Sequence, residues 1–175
     1  MQAAQSLGAE DFERCLVFHS LSKRSNLPGL RSGFVAGDAG VIQRYFQYRT
    51  YHGCTLSSLA QSASIAAWDD EIHVRENRDR YREKFQAVLE ILQPVLEVEH
   101  PQAGFYLWPR LPVDDERFTR ELYARENVLV LPGSYLSREA HGENPGRRHA
   151  RLALVATVEE CVEAARRIRR YVESL

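Results

Sequence analysis

Apolar and polar positions follow two rhythms along this chain, and each change of rhythm marks an element. "CLVFHSL" (15–21) and "SGFVAGD" (32–38) are short runs rich in branched and aromatic residues, the second closed by Gly37 and Asp38; they predict two strands. Between them lies a polar turn around Lys23, punctuated by Pro28 and Gly29. Residues 3–13 predict a short helix or the end of one, and residues 39–48 predict a helix that "YHGCTLSS" breaks. Ser57 or Ser58 is placed to cap a further helix beginning near Leu59 and running through Ala67. The stretch from Asp69 to Gln93 is charge-rich, yet Tyr81, Phe85, Val88 or Leu89, and Leu92 recur at helical spacing. That pattern predicts a wet helix with one buried stripe, stopped by Pro94.

The remainder reads as α/β. "VLEVEH" (95–100) and "AGFYLWP" (103–109) predict strands, residues 114–125 a helix, and "NVLVLPG" (127–133) and "ARLALVA" (150–156) two more strands. Thr157 and Glu160 have capping-box spacing at the start of a final helix, whose inward side is expected to use Val158, Val162, Ala165, Ile168 and Val172. Ser137 to Arg148 is irregular and is expected to be a surface loop that orders around a partner or ligand.

Composition places the 175-residue chain, with 44% hydrophobic and 27% charged residues, among folded globular proteins. Its 23 Lys plus Arg stand against 24 Asp plus Glu, a formal charge of -1, so no nucleic-acid partner is expected. No apolar run approaches the length of a bilayer span, and "MQAAQSLGAE" has neither the basic flank nor the hydrophobic centre of a signal peptide. Cys15, Cys54 and Cys161 are odd in number and far apart, which fits reduced thiols. No membrane partner and a cytoplasmic location are the expectations.

Lysines are mostly solvated surface groups, and Lys23 fits that description too. Its place at the mouth of a strand, among Ser20, Ser22 and Ser25, also suits an amine presented to a carbonyl-bearing cofactor for Schiff-base chemistry. Arg31 either closes a surface salt bridge or, with the serine hydroxyls and turn amides, holds a phosphate. Arg151 opens "LALVA" and is either an edge-strand charge that blocks aggregation or a carboxylate anchor. Gly104, Phe105 and Tyr106 offer close backbone approach and an aromatic wall, and Pro132 and Gly133 turn a strand end. No GxGxxG or GxxxxGK[ST] loop and no HExxH is present, so His19 and His52 are expected to pack rather than to bind metal.

The pattern Ser20-x-Ser22-Lys23, a Pro-Gly turn, then Arg31-x-Gly33 resembles the cofactor-lysine signature of class I/II aminotransferases of fold type I. "SLSKRSNLPGLRSGFVAGD" with "YHGCTLSSLAQSASIAAW" is especially similar to the N-succinyldiaminopimelate aminotransferases, and the resemblance runs to the C-terminal helix. It implies pyridoxal 5'-phosphate as cofactor, held covalently by Lys23, with Ser20, Ser22 and Arg31 binding its phosphate and Arg151 binding the substrate α-carboxylate. It implies amino-acid and 2-oxo-acid substrates, a homodimer in the complete enzyme, and a segment around Tyr51 to Ser57 that approaches the neighbouring subunit's cofactor. Lysine and diaminopimelate biosynthesis is the implied pathway. Family members carry a long region ahead of this lysine, with the glycine-rich cofactor loop, the ring-stacking aromatic residue, the asparagine near the ring oxygen and the acidic partner of the pyridine nitrogen. The chain is therefore expected to be the C-terminal portion of such an enzyme. Residues 1–68 are then the tail of the large cofactor-binding domain, 69–93 a linking helix and 94–175 the small C-terminal domain. An aminotransferase of other substrate, such as aspartate or an aromatic amino acid, and a noncatalytic assembly or regulatory module are the alternatives.

Overall fold

A computed structural model describes residues 12–53 and 55–175. Cys54 and most of the helix expected over 3–13 lie outside the described residues, and Phe12 and Glu13, its described end, are not helical. The chain divides into two compact units, Met1–Asn77 and Arg78–Leu175. The division falls inside the long charged helix.

In the first unit β1 (Leu16–Ser20) and β2 (Gly33–Gly37) form an antiparallel pair in continuous register, from Leu16 opposite Gly37 to Ser20 opposite Gly33. The polar turn joining them is itself structured, by a single helical turn α1 (Leu21–Arg24) and a 3-10 turn over Pro28–Leu30. Helix α2 (Ala39–Tyr51) starts on Asp38, whose carboxylate accepts the Val41 N–H, and it runs beyond the expected Tyr48 because no breaker stands before Gly53. Helix α3 (Ser58–Asp69) is capped by Ser57, and α4 (Ile72–Leu92) leads out of this unit. Little apolar surface is buried here: Leu21 and Val74 are fully covered, whereas Phe18, Phe46 and Tyr51 are 65%, 74% and 81% exposed.

The second unit holds the hydrophobic core. Phe85, Val88, Leu89 and Leu92 line one face of α4 as the spacing predicts, and they pack with Leu107, Phe118, Leu122, Leu152 and Ile168. The sheet is antiparallel, with β3 (Tyr106–Leu107), β5 (Ala150–Ala153) and β4 (Leu131–Pro132) in that spatial order. Helix α5 (Asp115–Glu126) begins on Asp114 and ends on Asn127 in the left-handed conformation. Helix α6 (Val158–Glu173) begins with the full Thr157/Glu160 capping box.

Three expectations are corrected. "VLEVEH" forms no strand; its N-terminal residues turn back, with the Val95 and Leu96 N–H groups donating to the Leu92 carbonyl, and only Glu97 makes a bridge, to Arg110. Its alternation still holds, since Leu96 and Val98 are buried. The strands in "AGFYLWP" and "NVLVLPG" shrink to two residues each, Tyr106–Leu107 and Leu131–Pro132, with an isolated bridge from Arg110 to His149 continuing the first beyond Pro109. The buried stripe of α6 is Cys161, Ala165, Ile168 and Tyr171, while Val158 and Val162 are half-exposed. Tyr171 sends its ring inward and its hydroxyl to Glu121 Oε2, 3.0 Å away, a behaviour that a stripe drawn from aliphatic positions overlooks. The 137–148 segment is irregular as expected, but it is tied to the fold by its own contacts. Ser137 Oγ donates to the Gly133 carbonyl and accepts the Gly146 N–H, both at 3.1 Å.

Asp115, 1% exposed, joins the start of α5 to two loops: its oxygens accept the Ser134 N–H at 2.9 Å and the Arg148 N–H at 3.2 Å. Burial pushes this carboxyl up, but the hydrogen bonds from Ser134 and Arg148 outweigh it and hold the group below the ordinary aspartate range. A depressed folded-state pKa contributes stability above the unfolded value that is lost as pH falls through the folded one. Asp115→Asn is therefore expected to destabilise the chain at neutral pH by about 1–3 kcal/mol. The deficit should shrink in urea titrations as pH falls below about 4, where the carboxylate of the unfolded chain begins to protonate while the folded one is still ionised.

Candidate functional site

The end of the β1–β2 ladder builds the first cluster. Ser20 closes β1 and caps α1, its Oγ accepting the Ser22 N–H at 3.1 Å. That Oγ lies 3.0 Å from Ser22 Oγ and 3.1 Å from the Ser32 carbonyl oxygen. Opposite Ser20 the backbones approach so closely that a Cβ on Gly33 would meet the His19 carbonyl oxygen at 2.6 Å, which explains a glycine there. Arg31 occupies the left-handed region, φ 52 and ψ 32, a conformation that costs a non-glycine residue about 1 kcal/mol. Its Nη1 donates to the Pro28 carbonyl at 2.8 Å and reaches Ser22 Oγ at 3.5 Å. Ser20, Ser22 and Arg31 are thus gathered at one turn, and Lys23, the third residue of α1, stands exposed beside them.

Arg24 fastens this turn, a role that sequence reading misses. Its side chain is 6% exposed and forms an ion pair with Glu71. It donates to the Ala67 carbonyl at 3.0 Å and the Trp68 carbonyl at 3.4 Å, and its guanidinium lies 4.8 Å from the Trp68 ring centre. A cation on the last carbonyls of α3 sits at the negative end of that helix, so the residue after Lys23 is anchored where the charge is most favourable. In sequence it looks like one more surface arginine. His19 packs in a triangle with Phe34 and Trp68, ring centres 5.7 and 5.5 Å away, and His52 stacks on Tyr48 at 4.5 Å, both as expected. Among the described residues no group of three His, Cys, Asp or Glu side chains is placed to hold a metal ion.

Arg151 belongs to the second unit. It lies on the central strand of the sheet, opposite Leu131, which removes the edge-strand explanation. Its guanidinium lies 4.8 Å from the centre of the Tyr106 ring, and its Nε is buried without a hydrogen-bond partner. Among the described residues no carboxylate pairs with it. A half-buried arginine with an unmet donor suits a planar anion. Phe105 stacks obliquely against Tyr106 at 4.1 Å, and Gly133 turns β4 into a short 3-10 helix, its N–H donating to the His149 carbonyl at 2.8 Å.

Comparison with known proteins bears on both units. An aminotransferase from Neisseria meningitidis matches 98% of this chain and 44% of its own, at 51% identity and a TM-score of 0.91. A probable N-succinyldiaminopimelate aminotransferase from Thermus thermophilus matches 92% of the chain and 43% of its own, at 34% identity and a TM-score of 0.77. A probable aminotransferase of Mycobacterium tuberculosis is 35% identical over 159 residues, 90% of this chain and 36% of that protein. The chain thus spans less than half the length of the relatives it matches. Its mixed α/β architecture is typical of the small C-terminal domain of a fold-type I aminotransferase. The family model for aminotransferase class I and II covers residues 2–168, and this chain belongs to that family.

Proposed function

We propose that this chain takes part in pyridoxal-phosphate-dependent transamination, and that the gathering of Ser20, Ser22 and Arg31 beside Lys23 is the observation that carries the reading. Family membership implies pyridoxal 5'-phosphate as the cofactor. The donor set fits it: Ser22 Oγ lies 3.0 Å from Ser20 Oγ and 3.5 Å from Arg31 Nη1, so hydroxyls and a guanidinium converge as a phosphate requires. When bound, the cofactor supplies an electron sink that makes the α-proton of an amino acid removable. Lys23 Nζ is the group that would hold the cofactor, and the same amine would take and return that proton as base and acid. Ser20, Ser22 and Arg31 would hold the phosphate, so that the amine acts from a set position. Arg151 grips the substrate α-carboxylate through its guanidinium fork.

In this reading residues 1–68 contribute the last part of a cofactor-binding domain, 69–93 a linking helix and 94–175 the small domain. The complete enzyme is a cytoplasmic homodimer in which the segment from Tyr51 to Ser57 approaches the neighbouring subunit's cofactor. Among the described residues no helix is long and apolar enough to cross a membrane. The substrate we assign is N-succinyl-LL-2,6-diaminopimelate, which with 2-oxoglutarate gives N-succinyl-2-amino-6-oxopimelate and glutamate, in lysine and diaminopimelate synthesis. The name of the Thermus thermophilus relative supports it. Product assays on the protein carrying this chain, with aspartate and phenylalanine as competing donors, test the assignment. The expected kcat/KM is highest for the succinylated donor. A preference for aspartate or phenylalanine would remove this substrate and leave transamination standing.

A further inference from the structure

The geometry points to Tyr106 as the positioning residue for Arg151: its ring is a platform that holds the guanidinium by its charge and leaves the N–H fork open for a carboxylate. The inference deepens the reading of Arg151 as a carboxylate anchor and rests on it. An arginine can be held in place by a carboxylate, which consumes its donors, or by an aromatic face, which attracts the cation without accepting those hydrogen bonds in the guanidinium plane. Here the second arrangement is found. The guanidinium carbon lies 4.8 Å from the Tyr106 ring centre, no ion pair is made among the described residues, and Nε is buried without an acceptor.

The sheet register produces this contact. Tyr106 pairs with Ala153 across the β3–β5 ladder, and Arg151 is two residues from Ala153, so Tyr106 and Arg151 share one face while Leu107 and Leu152 point into the core. The ring packs against Phe105, 4.1 Å away between centres, which in turn meets Tyr81 of α4 at 6.1 Å. Tyr81 is covered by Lys84, whose Nζ lies 4.8 Å from its ring centre and donates to the Leu154 carbonyl at 3.3 Å. A row of packed rings therefore runs from the long helix to the guanidinium, and the position of Arg151 is set before any anion arrives.

Side-chain NMR of the Arg151 Nε–Hε group in the 175-residue chain, assigned by its loss in Arg151→Lys, tests this with 2-oxoglutarate as the carboxylate probe and sodium chloride at matched ionic strength as control. The wild-type resonance is expected to be shifted upfield by the ring and to move on titration. Tyr106→Phe should keep both properties. Tyr106→Leu and Tyr106→Met should lose the ring shift and weaken 2-oxoglutarate binding by about threefold to tenfold, with the core methyl spectrum unchanged. An unshifted wild-type resonance, or equal affinity in the folded aliphatic variants, overturns the platform. If 2-oxoglutarate fails to move the wild-type resonance, or binds Arg151→Met as well as wild type, the carboxylate role of Arg151 itself falls, and the platform with it.

Discussion

Lys23→Ala is expected to lower transamination by the protein that carries this chain by at least about 10³-fold, with its folding intact. The loss is large because the proposed function gives one amine two tasks, covalent attachment of the cofactor and proton transfer at the substrate α-carbon. The fold is spared because Lys23 is exposed and belongs to a single helical turn whose other residues carry the packing. Leu21 is buried, Ser20 caps the turn, and Arg24 ties it to α3. Circular dichroism of the variant should match wild type while product formation disappears. Lys23→Arg should not restore activity, since a guanidinium keeps its charge and forms no covalent link. Activity within tenfold of wild type in folded Lys23→Ala would mean that another group performs the chemistry.

Phe118→Ala is expected to destabilise the second unit by about 3–5 kcal/mol. Phe118 is 1% exposed, and its ring meets that of Tyr171 edge-on at 5.1 Å between centres, so α5 and α6 are joined through this contact. Truncation leaves a cavity beside Tyr171 and also perturbs the bond from the Tyr171 hydroxyl to Glu121. Phe118→Leu keeps most of the volume and should cost less than half as much. The chain has two tryptophans, Trp68 in the first unit and Trp108 in the second, so a Trp68→Phe background gives a fluorescence signal from the second unit alone. Urea midpoints read in that background should order wild type above Phe118→Leu above Phe118→Ala. A cost below about 1 kcal/mol for the alanine variant would contradict the packing described.

Legibility followed locality. Caps and turns depend on neighbours a few residues apart, so Ser57, Thr157 with Glu160, and the polar turn around Lys23 were readable in the residues themselves. Strand lengths were not, because where a ladder stops depends on a partner strand distant in sequence. Burial was the least legible. Phe18 and Phe46 sit in runs that correctly signal a strand and a helix, yet both side chains are largely exposed, since periodicity reports which way a residue faces and not what lies over it. Ser20, Ser22 and Arg31 were named as phosphate ligands by the family resemblance, their own chemistry leaving a surface salt bridge equally open, and the structure brings them together. The anchoring by Arg24 escaped, because Ala67, Trp68 and Glu71 lie more than forty positions along the chain. Tyr106 was read as an aromatic wall, and only the β3–β5 register reveals that Arg151 lies across its face.

The central claim is that Lys23 is the lysine that takes pyridoxal phosphate. The sequence offers a built-in comparison, because Lys84 is its only other lysine. Limiting pyridoxal phosphate, added to the 175-residue chain and followed by borohydride reduction and peptide mapping, measures the claim directly. Before reduction an absorbance band near about 420 nm is expected, and after it a phosphopyridoxyl adduct on Lys23 in at least about tenfold excess over Lys84. Arg31→Ala should reduce the Lys23 adduct, because the phosphate loses a charge-assisted donor. Equal labelling of Lys23 and Lys84 in folded protein, or labelling of Lys23 indifferent to Arg31, would contradict the assignment.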